Sequence, residues 1–313
     1  MSKLGQDYRI RSRVIKDYDF PFNLVHSPYY EYFVELFDED YGTVEKSWLI
    51  DGVLVYCQTV EDFFKMSENL KNKMIFTVKD AEAYADFCLY SLDQYNLTNW
   101  NPPPSNNLYI PSNVGKDFIS IDLKQANFNV LHYFSDKMFE VTLEDKSVEY
   151  CHSYEEFISK FTNFEYFKQS KKFRQVIFGS LNPKRQIKIQ RYLVSNLVWF
   201  LLQEYVDTKE IGGIIALSND EIIIEGSLNA AEKIRDAFTD YVSPLHICSF
   251  RLEKVEETPY YVKVSPDGKI EIKGAPSYLM PQVYKTFKGM KINEYDRTFF
   301  YEGKLAVFHE NSL

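Results

Sequence analysis

Three carboxylates in this chain stand where they could hold metal ions. Asp122 follows the apolar run Phe118-Ile119-Ser120-Ile121 and precedes a segment with helical spacing. Asp220 and Glu221 fall at the tip of a hairpin whose flanks, IIAL (214–217) and III (222–224), are among the most apolar runs in the chain. Each has an ordinary structural role when taken alone: Asp122 can cap a helix, and Ser218-Asn219-Asp220 can simply turn the chain. Taken together they meet a specific chemical need. Two divalent cations about 4 Å apart, one activating a hydroxyl and the other neutralising a polyphosphate, must be held by carboxylates from neighbouring strands. A strand end beside a hairpin tip brings such groups together on a rigid sheet.

Other chemistries have less to stand on. Cys57, Cys88, Cys151 and Cys248 are too scattered for a disulfide framework or a CxxC metal site. Cys151-His152 has no partner pair, so buried free thiols are expected and zinc is not. His26, His132, His152, His246 and His309 show no HxH or HExxH spacing. Ser-His-Asp or Cys-His chemistry stays open but without support. Neither GxxxxGK[ST] nor GxGxxG occurs, so no glycine-rich phosphate loop is indicated.

The elements that must position the carboxylates are legible in outline. The chain has 313 residues, 45% hydrophobic and 26% charged, which fits a globular protein of two parts. No apolar run reaches the roughly 18 residues of a membrane span and the N-terminus lacks a signal-peptide core, so a cytoplasmic protein is expected. In residues 1–100, SWLIDGVLVYC (47–57) reads as a hairpin turning at Asp51-Gly52, while TVEDFFKMSENLKNK and KDAEAYADFCLYSLDQY read as helices. Residues 101–115 hold four of the twelve prolines and read as a linker. Beyond it, KDFISID predicts a strand and LKQANFNVLHYFSDKM a helix. Residues 183–206 predict a long helix with Pro183 at or near its first turn and Ile187, Val194, Val198, Leu201 and Tyr205 at helical spacing. The hairpin at 212–226, a helix over SLNAAEKIRDAFTDYV and a strand-rich tail turning at Pro266-Asp267-Gly268 follow.

Charge is distributed unevenly. The net charge is −9, yet residues 168–191 contain Lys168, Lys171, Lys172, Arg174, Lys184, Arg185, Lys188 and Arg191 and no acid. Such concentration suits phosphate contacts, because each neutralised phosphate releases counterions. The alternative is a solvated helix face. Phe164, Tyr166, Phe167 and Phe173, interleaved with the charges, would stack on bases or, more simply, fill a core.

These motifs carry a resemblance. ISIDLKQANFNVL resembles motif A of DNA polymerases of families A and B, with Asp122 on the metal aspartate and Gln125, Val130 and Leu131 fitting the family A form. LSNDEIIIEG is similar to family A motif C, with Asp220 as the second metal ligand and Glu221 beside it. KKFRQVIFGSLNPKR looks like motif B, with Arg174 in place of the lysine that contacts triphosphate and Phe178-Gly179 on the phenylalanine-glycine pair. LEKVEETPYYVKVSPDGKIEIKG is similar to the post-palm element of family B, in which Tyr261 and Lys263 would steady the primer terminus. The motif A resemblance also puts Asn127 at the sugar-selecting position, with Phe128 next to it as the residue that would block a 2′ hydroxyl.

The resemblance implies an α+β fold, an antiparallel palm-like sheet backed by helices, with a separate mixed α/β region at 1–100, the linker at 101–115, a palm at 116–275 with reduced fingers at about 135–183, and a C-terminal extension at 276–313. It implies a nucleotidyltransferase of DNA replication and is compatible with a phage or viral origin, which would place the protein in the host cytoplasm. Two Mg²⁺ or Mn²⁺ ions would sit on Asp122, Asp220 and Glu221. Arg174, Lys171, Lys172, Asn127, Phe128 and Gln125 would meet the nucleoside triphosphate. Lys184, Arg185, Lys188, Arg191, Tyr261 and Lys263 would meet the primer-template, and residues 1–100 would offer a surface to protein partners. Asp38-Glu39-Asp40 has a DxD look without the partners of a proofreading exonuclease. Two other readings stay open: a palm that has lost catalysis and binds nucleic acid or partner proteins, and an unrelated α+β protein.

Overall fold

In the N-terminal region, the three-to-four-residue recurrence of apolar side chains sets the structure. The computed structural model describes residues 2–93, 104–134, 139–142, 148–205, 211–238 and 245–308. Parts of the expected linker (101–103), fingers segment (135–138 and 143–147) and C-terminal extension (309–313) lie outside the described residues. Helices α1 (Tyr8–Asp17), α2 (Tyr29–Leu36), α3 (Asp38–Tyr41), α4 (Thr43–Trp48), α5 (Asp51–Leu54), α6 (Val60–Asp80) and α7 (Glu82–Leu89) follow one another. Among the described residues of this region there is no strand, which corrects both the hairpin at 47–57 and the mixed α/β character expected there. Ile50, Val53, Leu54 and Cys57 are buried at helical spacing. Burial at that period outweighs the turn preference of Asp51-Gly52. The helix expected at 59–73 forms within α6, and of the one expected at 79–95, α7 covers 82–89 while residues 94–95 lie outside the described residues. Thr59 and Asp62 close a capping box at the start of α6, with Asp62 N–H donating to Thr59 Oγ1 at 3.1 Å and Thr59 N–H to Asp62 Oδ2 at 2.8 Å.

The second half is an α+β assembly around a six-stranded antiparallel sheet. β1 (Asp117–Leu123) leads into α8 (Ala126–Phe134), a short hairpin of β2 (Phe139–Thr142) and β3 (Val148–Cys151), then α9 (Tyr154–Ser159), α10 (Glu165–Gln169), α11 (Lys171–Gly179) and α12 (Pro183–Tyr205). The hairpin of β4 (Ile211–Leu217) and β5 (Glu221–Gly226) returns beside β1. Then α13 (Leu228–Ala237) crosses to β6 (Leu245–Lys254) on the other side, and β7 (Tyr261–Val264) and β8 (Ile270–Lys273) extend the sheet. The order β4-β5-β1-β6-β7-β8 interleaves two βαβ units, with β1 central. At Gly212 an added Cβ would lie 2.8 Å from Glu225 Cβ, so the closure of β4 on β5 requires glycine there.

Alternation along β1 decides which face carries chemistry. Ile119, Ile121 and Leu123 point to the back face and are buried with Ile222, Ile224, Ile247 and Val262 against the helices. Each such side chain contributes about 1.5–3 kcal/mol, and a one-residue slip would turn Ser120 and Asp122 into that core, so the back face holds the register. The front face is half covered. Leu108 and Tyr109 pack with Phe118, Ile223, Phe250 and Leu252, and Asn107 Nδ2 donates to Ile215 O at 2.9 Å on edge strand β4. Residues 104–114 thus lie across one half of the sheet and shield its edge.

The back-face core runs without a break from Ile10 and Phe63 through Phe167 and Phe178 to Tyr284. Beyond β8, α14 (Met280–Phe287) and the hairpin of β9 (Thr298–Tyr301) and β10 (Lys304–Val307) pack back on the N-terminal helices, where Lys285 Nζ lies 2.8 Å from the buried Asp296. No described helix is long and apolar enough to cross a membrane.

The DxD-like triplet has a structural use. Asp38 Oδ1 accepts the Val44 N–H at 2.8 Å. Buried Asp40 accepts the edge-strand N–H of Ile270 at 2.8 Å and the Tyr284 hydroxyl at 2.7 Å, and pairs with Lys288 at 3.0 Å. Asp40→Ala should therefore lower unfolding stability by about 2 kcal/mol, because it orphans an edge donor and a buried hydroxyl. Urea unfolding measures this, and an unchanged midpoint would contradict the role.

Candidate active site

The sheet register brings the predicted carboxylates together. Asp122 pairs directly with Glu221 across β1 and β5, and the adjoining turn is locked to the same strand end by Leu123 N–H donating to Asp220 O at 2.8 Å. Directly paired residues share a face, so Asp122 and Glu221 both stand on the front of the sheet. Ser218 shapes the tip: its Oγ accepts Glu221 N–H at 3.0 Å and donates to Asp220 Oδ1 at 3.2 Å.

The crowding has an electrostatic signature. Burial first, then the charges of Asp220 and Glu221, push the Asp122 carboxyl up to about 7, and Lys171 and Lys263 offset this only in part. Glu221 is steadied by the Ser120 hydroxyl at 2.6 Å and by Lys263 Nζ at 3.4 Å, the latter also lying 4.6 Å from the Phe250 ring centre. Among the described residues no three acid, histidine or cysteine side chains already converge on one point. The donor set is nonetheless all carboxylate oxygen, the hard chemistry that Mg²⁺ and Mn²⁺ take, and the mutual repulsion is of the sign a cation relieves. Asp122, Asp220 and Glu221 therefore fit such ions chemically.

Around this cluster the other predicted residues divide. Arg191 Nε donates to Asn219 Oδ1 at 2.7 Å, tying α12 to the hairpin tip beside Asp220. Lys188 and Lys184 lie one and two turns earlier on α12, so with Arg191 they form an i, i+4, i+7 ridge leading to the tip. Lys171 pairs with Asp19 at 3.0 Å while its charge still acts on Asp122. Asn127, half-buried, accepts a hydrogen bond from Gln190 Nε2 at 2.7 Å. Tyr261 is half-buried, with its ring 5.8 Å from that of Tyr109.

Four assignments need correction. Phe128 is wholly buried among Tyr154, Phe157 and Phe178, so it cannot screen a sugar. Arg185 donates to the carbonyls of Phe87 and Tyr90, capping the end of α7 instead of facing nucleic acid. Gln125, in a left-handed backbone conformation (φ 51°), turns its amide to Glu155 at 2.5 Å. Lys172 lies in a groove with Arg13, Lys16 and Lys65 of the N-terminal helices. Arg174 lies over the Tyr154 ring at 5.3 Å, a contact that orients its guanidinium. The interleaved aromatics Tyr166, Phe167 and Phe173 are core, as the simpler reading had it.

Three front-face neighbours went unnoticed in the sequence: Ser120, His246 and Cys248. Ser120 is two residues before Asp122, so period-two alternation alone would have placed it beside the carboxylates. His246 is opposite Asp122 and Cys248 opposite Ser120 on β6. Their positions depend on a pairing across more than a hundred residues that no local pattern encodes. Burial pushes the Cys248 thiol up, so it is not a ready nucleophile. All four cysteines are free thiols.

Set against known protein families, curated proteins and solved structures, the chain finds no match in any of the three.

Proposed function

We propose that this protein is a metal-dependent nucleotidyltransferase that extends a nucleic-acid primer along a template. The observation that carries the reading is the cross-strand pairing of Asp122 with Glu221, with Asp220 in the adjoining turn, on the front face of a helix-backed sheet. Divalent cations bound there would lower the pKa of the primer hydroxyl and offset charge on the triphosphate. The chain's own contribution is placement and charge. Asp122 and Asp220, at adjacent strand ends, hold their oxygens without waiting on loop closure. Lys171, Lys188 and Arg191 set positive charge on the side of the cluster where a triphosphate would lie. Asn127, fixed by Gln190 through its Oδ1, keeps its amide N–H₂ for a sugar hydroxyl. Lys263, already paired with Glu221, stands close to where a primer end would rest.

Primer extension assayed in parallel with dNTPs and NTPs, with Mg²⁺ and with Mn²⁺, tests the proposal. Arg191→Ala should lower incorporation about tenfold, the loss of roughly 1.4 kcal/mol of tip positioning. Unchanged incorporation by that variant would remove Arg191 from the machinery.

One observation favours a second reading. Ser120 and Lys263 both engage Glu221, so part of the carboxylate cluster is satisfied by the protein itself. A palm that no longer catalyses but binds nucleic acid or partner proteins would have this property. It would bind primer-template in a salt-dependent way and incorporate nothing with any nucleotide or metal.

A further inference from the structure

The groove that holds Lys172 has a composition of its own. It opens between α1, α6 and α11, with a volume of about 570 Å³. The two acids in its wall are engaged locally: Asp17 receives Arg13 Nε at 2.8 Å, and Glu68 receives Lys71 Nζ at 2.6 Å. That leaves Lys16, Lys65 and Lys172 as its excess charge, on a region of the chain that is otherwise strongly acidic. Half-buried Phe64 gives the groove an aromatic surface among the lysines, whereas Phe173 in its lining is a core side chain. Cations converging on a groove with an aromatic surface are the physical description of a single-stranded nucleic-acid track. A solvated helix face has no such concavity.

The groove is also coupled to the carboxylates through one helix. Lys171 and Lys172 are adjacent at the start of α11, and Lys172 lines the groove, while α11 packs on α8, the helix that begins four residues after Asp122. We propose that the α1–α6–α11 groove carries a single-stranded nucleic-acid segment, held by Lys16, Lys65 and Lys172 through its phosphates, on a path that passes over the start of α11 to the carboxylate cluster. The path rests on the nucleotidyltransferase reading; the strand-binding groove itself does not.

The test is fluorescence anisotropy of the full-length protein with fluorescein-labelled oligothymidylate over a salt series. Lys16→Glu/Lys65→Glu/Lys172→Glu should weaken binding at least about tenfold, and the charge-neutral Lys16→Gln/Lys65→Gln/Lys172→Gln should weaken it less while reducing the salt slope by about 2. Thermal melts of both triple variants separate loss of binding from loss of fold. Asp117→Ala, an exposed change at an acid outside both the groove and the carboxylate cluster, should bind the oligonucleotide as the wild type does. Wild-type affinity and slope in a folded Gln triple variant would overturn the groove. Competition by ATP as effective as by unlabelled oligothymidylate would overturn the strand in favour of a single-nucleotide pocket. Weakened binding in the triple variants together with a wild type that never incorporates nucleotide would keep the groove and sink the polymerase reading.

Discussion

Asp220→Ala and Asp122→Ala are each expected to reduce Mg²⁺-dependent primer extension by about three orders of magnitude or more, while the protein stays folded. The size follows from what each carboxylate would do. Losing one anchor for a divalent ion removes several kcal/mol of charge stabilisation at the reacting phosphate, and about 4 kcal/mol is a thousandfold in rate. Neither side chain supports the core. Asp122 stands on the front face opposite the buried Ile119, Ile121 and Leu123, and Asp220 holds β1 through its backbone carbonyl, which alanine keeps. Asp117 is the internal control: it is on the same strand, pairs with Arg251 at 2.9 Å and is largely exposed. Asp117→Ala should extend primers as the wild type does. Normal extension by either of the first two variants would refute their metal roles. Salt-dependent primer-template binding by a wild type that extends nothing would instead select the non-catalytic reading.

What made this pair legible is local. Alternation along 118–123 and the apolar flanks of 214–224 each announce a strand, and the polar tip between the flanks announces the turn. Those patterns and the 3.6-residue period of 183–206 mark the strands and the long helix, while their assembly into an antiparallel sheet backed by helices comes only with the motif resemblance. Three kinds of error have equally physical origins. At 47–57 the Asp-Gly pair is a strong hairpin signal, but the segment is short and fully buried on one side, so helical burial of Ile50, Val53 and Leu54 decides. At Asn127-Phe128 the sequence offers two candidates for one position, and only the packing of Phe128 against Phe178 separates them. In residues 168–191 a charge run looks uniform along the chain, yet a helix distributes its residues around its axis. Lys171, Lys172 and Arg185 consequently end at three different places: beside Asp19, in the N-terminal groove and on the end of α7. Cross-strand neighbours such as His246, set by non-local pairing, leave no trace in a local pattern at all.

The same crowding that would serve catalysis should cost stability, and the cost has a pH window. Asp122 keeps its proton up to about pH 7 in the folded chain, against an ordinary value of 3.8 for the released side chain. Between those values the folded state binds the extra proton, so stability falls as pH rises through the window and the full penalty is present above it. The shift corresponds to about 4 kcal/mol, and because the site is partly open to water roughly 3 kcal/mol is the expected size. Asp122→Asn keeps the shape and removes the charge. In metal-free buffer at pH 8 it should be about 3 kcal/mol more stable than the wild type, and near pH 3.5 the two should converge. Mg²⁺ or Mn²⁺ should then raise the melting temperature of the wild type at pH 8 and leave that of Asp122→Asn nearly unmoved, because a cation relieves the repulsion that asparagine has already removed. Parallel pH profiles for the two proteins would show that Asp122, Asp220 and Glu221 are not electrostatically crowded. A pH gap that divalent ions fail to close would show crowding at a site that does not take up the ions, which separates the metal role from the geometry that suggests it.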